Sequence, residues 1–392
     1  MGSRHGIQDE LLARAKRMLH DIAGLFISDA AGALEIAKEV LEIATAANDK
    51  KLMGRSFMEI GKAVRQKGDL ATSLEAFQQA AELFETIKDN EDYPKALQAV
   101  GTIHSAKGEL ALASGCFERA LPIAQANEDY STLQRIWNSW GIVFIRVGDY
   151  EQALHAYEKC LELLQKFPDP YLESSVLTNL GAIFRRSGEH PVAKDYFFRA
   201  LAIGRDLADN RQIASTLIFL GETSLFERKY DEARSFLRES VAICEAGGFT
   251  DNLVHSLKSL AELASATGQD AEALHHLNRA RNLLNPATDR ILLQKVEQQI
   301  GAAYFNLGQL DKAHAALQQA LELAQEINSP QLLYEVNVLF SELAAKQLDY
   351  KLSHTLLRAA LEQQQLLFSQ GNQKAIRDME VRIAIDARKN AS

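Results

Sequence analysis

Proline, cysteine and tryptophan are scarce in this sequence, at 7, 3 and 2 of 392 residues. With little proline, few positions lose a backbone donor or clash with the preceding helical turn. Cys116, Cys160 and Cys244 are odd in number and widely separated, so they form no disulfide framework and no metal-ligand spacing. A reducing, cytoplasmic compartment is the expectation that follows. Long apolar runs are also missing: nothing approaches a bilayer-spanning segment, which argues against membrane insertion. The N-terminus MGSRHGIQDELL lacks the apolar core of a signal peptide, and Gly at position 6 breaks a myristoylation signal. There is no basic excess either. Lys and Arg number 43 against 52 Asp and Glu, a net charge of −9 that argues against general nucleic-acid binding. Runs of strand formers are absent from most of the chain. Ala, Leu, Glu, Gln, Lys and Arg dominate instead, and these favour helices. The composition predicts an all-α protein.

What the sequence does contain is a repeat. The stretch WNSWGIVFIRVGDYEQALHAYEKCLELL, residues 137–164, holds both tryptophans and one of the cysteines. Steps of 40 residues from its Gly141 reach Gly61, Gly101, Gly181, Gly221, Ala261, Gly301 and Ser341, all small. Positions below are counted from this residue within each copy. At +7 stands Gly68, Gly108, Gly148, Gly188, Gly268 or Gly308, with Arg228 and Leu348 as exceptions. At +12 and +19 the residues are Ala, Ser or Cys; at +16 and −1 they are large and apolar. Eight copies follow one another without an insertion. A period of this length marks stacked supersecondary units.

Each copy reads as two helices joined by a short turn. The +7 glycine suits the left-handed residue that ends a helix, and the Asp or Glu that often follows suits the next helix N-terminus. Positions +12, +16 and +19 share one helix face. One hairpin cannot bury that face alone, so neighbours must stack. The pattern resembles the tetratricopeptide repeat. Trp137, Trp140-Gly141, Phe144, Ala153, Tyr157 and Cys160 fall on that family's motif positions, and Phe184 and Tyr304 again supply its second aromatic. The period of 40 exceeds the family's usual 34. HEAT and armadillo solenoids have a similar period, but the Gly and Ala positions fit tetratricopeptide packing better. The resemblance implies a right-handed superhelical α-solenoid of stacked antiparallel helix pairs with a concave groove. The expected organisation is a capping or degenerate hairpin over 1–49, eight repeats over 50–369, and a capping or linker helix over 370–392.

The sequence carries no phosphate loop, no G-x-S-x-G elbow and no H-E-x-x-H pair. His275 and His276 are adjacent and cannot share a helix face as metal ligands do. Cys160 occupies a position otherwise held by Ala or Ser, which reads as a small core residue. The expectation is a non-enzymatic scaffold with no cofactor and no metal.

In the resembled family the groove is lined by the first helix of each pair. Carried over, the groove positions are −6, −3, +1 and +4, joined by −2 and +5. These select Arg55, Lys62 and Arg65 in repeat one, Arg135, Asn138 and Arg146 in repeat three, and Asn179, Arg185 and Arg186 in repeat four. The later repeats are mixed, with His255, Lys258, Glu262, Lys295, Gln298, Glu335 and Glu342. Arginine forks pair with carboxylates, so the expected partner is a protein or peptide, acidic in character. Met58 and Lys62 do not match the family's chaperone-binding carboxylate clamp. Near the C-terminus Ile376, Met379 and Ile383 follow a 3-then-4 spacing. KAIRDMEVRIAIDARK resembles the helix after tetratricopeptide arrays in bacterial signalling proteins, which implies a sensory or regulatory module in cytoplasmic signalling. The same helix is the candidate for self-association. A peptide-sensing regulator that takes a short acidic peptide in its groove is the alternative reading.

Overall fold

The computed structural model describes residues 2–25, 30–66 and 68–367. All regular structure among the described residues is helical. A leading pair, α1 (Gly2–Leu25) and α2 (Ala30–Ala46), precedes the repeats. The repeat pairs are α3 (Lys50–Gln66) with α4 (Leu70–Thr86), α5 (Tyr93–Ala106) with α6 (Leu110–Ala126), α7 (Tyr130–Val147) with α8 (Tyr150–Lys166), and α9 (Pro170–Arg186) with α10 (His190–Asp206). They continue as α11 (Asn210–Phe226) with α12 (Tyr230–Gly247), α13 (Thr250–Ala266) with α14 (Asp270–Leu283), and α15 (Arg290–Asn306) with α16 (Leu310–Ile327). Last come α17 (Pro330–Lys346) and α18 (350–367). The chain divides into two compact units, Met1–Ile203 and Gly204–Ser392. The helix expected over 370–392 lies outside the described residues.

The turns follow from the sequence. Gly148 ends α7 at φ 82°, and the side chain of Asp149 then accepts from the Gln152 amide to start α8. Asp129, Asp169 and Asp209 cap α7, α9 and α11 in the same way. At the two +7 exceptions, Arg228 and Leu348 hold the left-handed conformation without a glycine, at φ 59° and 64°. The repeat geometry thus overrides a local preference of roughly 1 kcal/mol per residue. Helix α14 stops at Leu283, several residues before the usual end of a second helix, and Pro286 lies in the loop that follows.

Packing explains the small and large positions. A Cβ built on Gly101 would stand 2.5 Å from the Phe117 ring, and one on Gly141 would stand 2.6 Å from the Tyr157 ring. The first and second helices therefore approach as closely as a ring allows, and the ring fills the gap that the glycine leaves. At three of the small positions the side chain finds a backbone carbonyl: Ser73 Oγ donates to Gly61 O at 2.8 Å, Cys160 Sγ to Gln134 O at 3.3 Å and Ser240 Oγ to Ala214 O at 3.0 Å.

Candidate binding face

Within each unit, consecutive first helices touch: α1 with α3, α5 with α7 and α7 with α9 in the first unit, α11 with α13 and α15 with α17 in the second. Among the described residues no comparable contact joins consecutive second helices. The first helices therefore lie on the inner side of each stack. Side chains tie them together one repeat apart, across 37 to 41 residues. Gln98 Nε2 donates to Ser139 Oγ at 3.1 Å, Ser259 Oγ to Glu222 Oε1 at 3.1 Å, and Gln299 Nε2 to Glu262 Oε1 at 2.6 Å. Positions −3, −2 and +1 thus carry these bonds between first helices.

All nine residues selected from the sequence sit on first helices of the first unit, and the structure sorts them by occupation. Arg146 donates to the Ser105 carbonyl, and Asn179 Nδ2 donates to Asn138 Oδ1 at 3.5 Å, so these three bridge neighbouring first helices. Arg186 lies over the Tyr150 ring at 5.7 Å, a cation–π contact, and Arg185 is half-buried. Arg55 Nε donates to Asp92 Oδ2 at 2.6 Å, and Lys62 Nζ lies 2.8 Å from Glu59 Oε1. Arg65 and Arg135 are the least engaged by neighbouring side chains. Arg135 has only Asp169, at 3.9 Å, and Arg65 has no side-chain partner among the described residues. Surrounding protein and the nearby charge of Arg135 hold the Arg65 pKa below the ordinary arginine value. Its side chain is nonetheless exposed.

Arg55 and Lys62 line a cavity of about 380 Å³, with Leu52, Met58 and Phe84 among its apolar walls. Lys16 and His20 of α1 and Lys95 of α5 join them. Lys95 occupies the −6 position of repeat two and was legible from the repeat; Lys16 and His20 precede the repeats and carried no signal. Beside the cavity, Asp89, Glu91 and Asp92 bring their carboxylates within 4.8 Å of one another, the described group that could hold a metal. Lysine and arginine side chains already occupy it. Lys51 Nζ lies 2.9 Å from both Asp89 and Glu91, and Asp92 takes Arg55 and Lys95. Hydrogen bonds to Asp89 and Glu91 accordingly raise the Lys51 pKa. Cys160 is fully buried, and burial pushes its thiol up to about 12, the reverse of an activated nucleophile.

Tetratricopeptide repeat models match residues 52–126, 132–206 and 212–285, and a second such model matches 298–327; together they cover more than half of the chain. No curated protein matches. Among solved structures, a Rap protein complexed with Competence and Sporulation Factor superposes with a TM-score of 0.64 at 15% identity, over 92% of this chain and 99% of that one. The apo quorum sensor NprR from B. thuringiensis gives 0.63 at 12% identity, over 90% and 99%. A Signal Transduction ATPase with Numerous Domains that carries a tetratricopeptide repeat sensor, from Pyrococcus horikoshii, gives 0.63 at 16% identity; 88% of this chain aligns, spanning about half, 54%, of that one. At these identities the likeness is one of fold. Among the described residues no helix is long and apolar enough to cross a membrane.

Proposed function

The chain belongs to the tetratricopeptide repeat family, and from that premise we propose that it is a non-enzymatic regulatory scaffold whose first unit binds a short acidic peptide. The observation that carries this reading is the pair Arg65 and Arg135. Arg65 has no side-chain partner among the described residues and Arg135 has only a 3.9 Å contact with Asp169, so both guanidinium groups are available to an anion. A peptide carboxylate offers the planar, bidentate geometry that arginine prefers. Support by analogy of fold comes from neighbours whose names record signalling peptides or sensing: the Rap protein solved with Competence and Sporulation Factor, a Rap conjugation gene regulator in complex with the Phr* peptide, and the quorum sensor NprR. These favour a cytoplasmic signalling role in a bacterium. The ATPase in one neighbour's name describes that protein, and this sequence has no phosphate loop.

The test is binding to an array of acidic pentapeptides, followed by affinity measurement on the best binder. Arg65→Glu and Arg135→Glu should each weaken binding at least about tenfold, and added salt should weaken wild-type binding. Lys295→Glu in the second unit should leave it unchanged. Equal affinity for wild type and both arginine variants would overturn the reading.

A further inference from the structure

One first helix of the first unit starts out of step. Helices α3, α7 and α9 begin at Lys50, Tyr130 and Pro170, in register with the 40-residue period. The same register predicts a start at Asn90, but α5 begins at Tyr93. Pro94 explains the delay. In a helix begun at Asn90, Pro94 would fall in the second turn, and its ring would meet the Asn90 carbonyl four residues back. Begun at Tyr93, the helix holds Pro94 in its first turn, where no amide is needed. Three residues, close to a full turn, are therefore missing from the inner wall at the start of α5.

The gap has a visible result. Among the first helices of this unit, α3 and α5 lack a contact of the extent that joins α1 to α3, α5 to α7 and α7 to α9. The cavity of about 380 Å³ opens there, between α1, α3 and the start of α5. That volume stands at the lower end of the roughly 300–1,000 Å³ typical of small-molecule sites.

The lining is amphipathic. Leu52 and Phe84 are buried apolar walls, and Met58 is half-buried beside them. Lys16, Arg55, Lys62 and Lys95 line the same space against two carboxylates, Glu59 and Asp92. The cations are the exposed members of this set, and the two carboxylates are the more deeply buried. A lysine carries three donors and an arginine five. Glu59 accepts one from Lys62 at 2.8 Å, and Asp92 accepts one from Lys95 at 3.1 Å and one from Arg55 at 2.6 Å. Lys16 stands 3.9 Å from Asp49, beyond hydrogen-bond reach. Charge around the cavity is thus partly balanced, but most of its donors remain uncommitted. A ligand head with one negative charge fits that balance, whereas a phosphate dianion would be repelled by Glu59 and Asp92.

We propose that this cavity binds a small amphipathic carboxylate, an acyl or single-ring acid, with its apolar body on Leu52, Met58 and Phe84 and its head on Lys16, Lys62 and Lys95. Neither Arg65 nor Arg135 lines the cavity, so the site is independent of the peptide-binding reading.

Isothermal titration calorimetry of the full chain with octanoate tests this. Octanoate should bind with a Kd below about 1 mM, and acetate and octanol at least about tenfold more weakly, since each lacks one half of the contact. Lys16→Gln/Lys62→Gln removes two exposed cations and should weaken octanoate at least about tenfold. Lys166→Gln, on α8 and outside the cavity, makes the same kind of charge change and should bind as wild type. Unaltered circular dichroism melts show that the variants remain folded. The proposal is overturned if octanoate fails to bind below about 1 mM, or if octanol binds as tightly, which would make the cavity an apolar hole. It is equally overturned if octyl phosphate binds more tightly than octanoate, or if Lys166→Gln weakens binding as much as the double variant, which would mark diffuse charge attraction.

Discussion

The two units build the same hairpin with different materials. In the first, +16 is aromatic every time, as Phe77, Phe117, Tyr157 and Phe197, and each ring lies against a glycine. In the second, +16 is leucine every time, and the glycine gives way to Ala261 and Ser341 in two hairpins. The +7 turn is glycine four times in the first unit, but Arg228 and Leu348 replace it twice in the second. At −4 the first unit places Phe57, Leu97, Trp137 and Leu177, whereas the second ends with Glu297 and Asn337, both buried. The difference teaches that each site keeps a small residue against a large apolar one and the same backbone shape rather than a fixed residue type. Because each hairpin meets only its neighbours, a weaker device in one seam is carried locally.

Removing the filler should give the largest effect and break the comparison if it fails. Phe117→Ala should cost about 4 kcal/mol and Leu317→Ala about 3 kcal/mol, since a ring leaves the larger hole. Urea denaturation followed by tryptophan fluorescence reports the first unit, where Trp140 lies 6.2 Å from Phe117. Circular dichroism reports both units. A loss in the first unit no greater than in the second would contradict the size-matching account.

Acid should then pull the two units in opposite directions. Glu297 is 1% exposed, its nearest cation is Arg281 at 3.6 Å, and burial raises its pKa. A raised folded value means that the protonated form is favoured. Its contribution is present below the ordinary glutamate pKa and is lost as pH rises through the folded value. Asp89 in the first unit is the reverse: burial pushes its pKa up, but hydrogen bonds from Lys51 and the Asp92 amide bring it below the usual carboxylate value. Its contribution is present above the unfolded value and is lost as pH falls through the folded one. Glu297→Leu should stabilise the second unit by about 1 kcal/mol at pH 7 and remove its gain in acid. Thermal unfolding across pH 3–7 checks both signs; an unaltered pH profile in the variant would assign the effect elsewhere.

The smallest effect concerns the turns and sharpens the comparison. Arg228→Gly should stabilise the second unit by about 1 kcal/mol by relieving a left-handed side-chain residue, and Gly148→Ala should destabilise the first by a similar amount. Thermal melts of both variants measure it. A loss of stability in Arg228→Gly would show that its side chain contributes more than the backbone costs.

Much of this fold was legible because the period of 40 is exact from Gly61 to Ser341, and two glycines in five of the eight copies mark the helix pair and its turn. The exceptions were visible too, as missing glycines at 228 and 348, but not their outcome, because only the neighbouring helices force those residues into the left-handed region. The candidate face was legible only in part. The position rule selected Arg65 and Arg146 alike, yet one is open and the other is bonded to the Ser105 carbonyl. That distinction depends on which neighbour a side chain reaches one repeat away, and no spacing within a helix contains it. Lys16 and His20 reach the first-unit cavity from α1, ahead of any repeat, for the same reason.

By itself, then, the sequence determined the helical class, the hairpin unit, its turns and the family, because periodicity acts through local sterics and the burial of one apolar face. Only the tertiary structure decided which arginines remain open to a partner, which carboxylates already hold lysine and arginine side chains, and that a cavity opens between α1, α3 and the late start of α5. Those are properties of approach between segments tens of residues apart, set by how the hairpins stack.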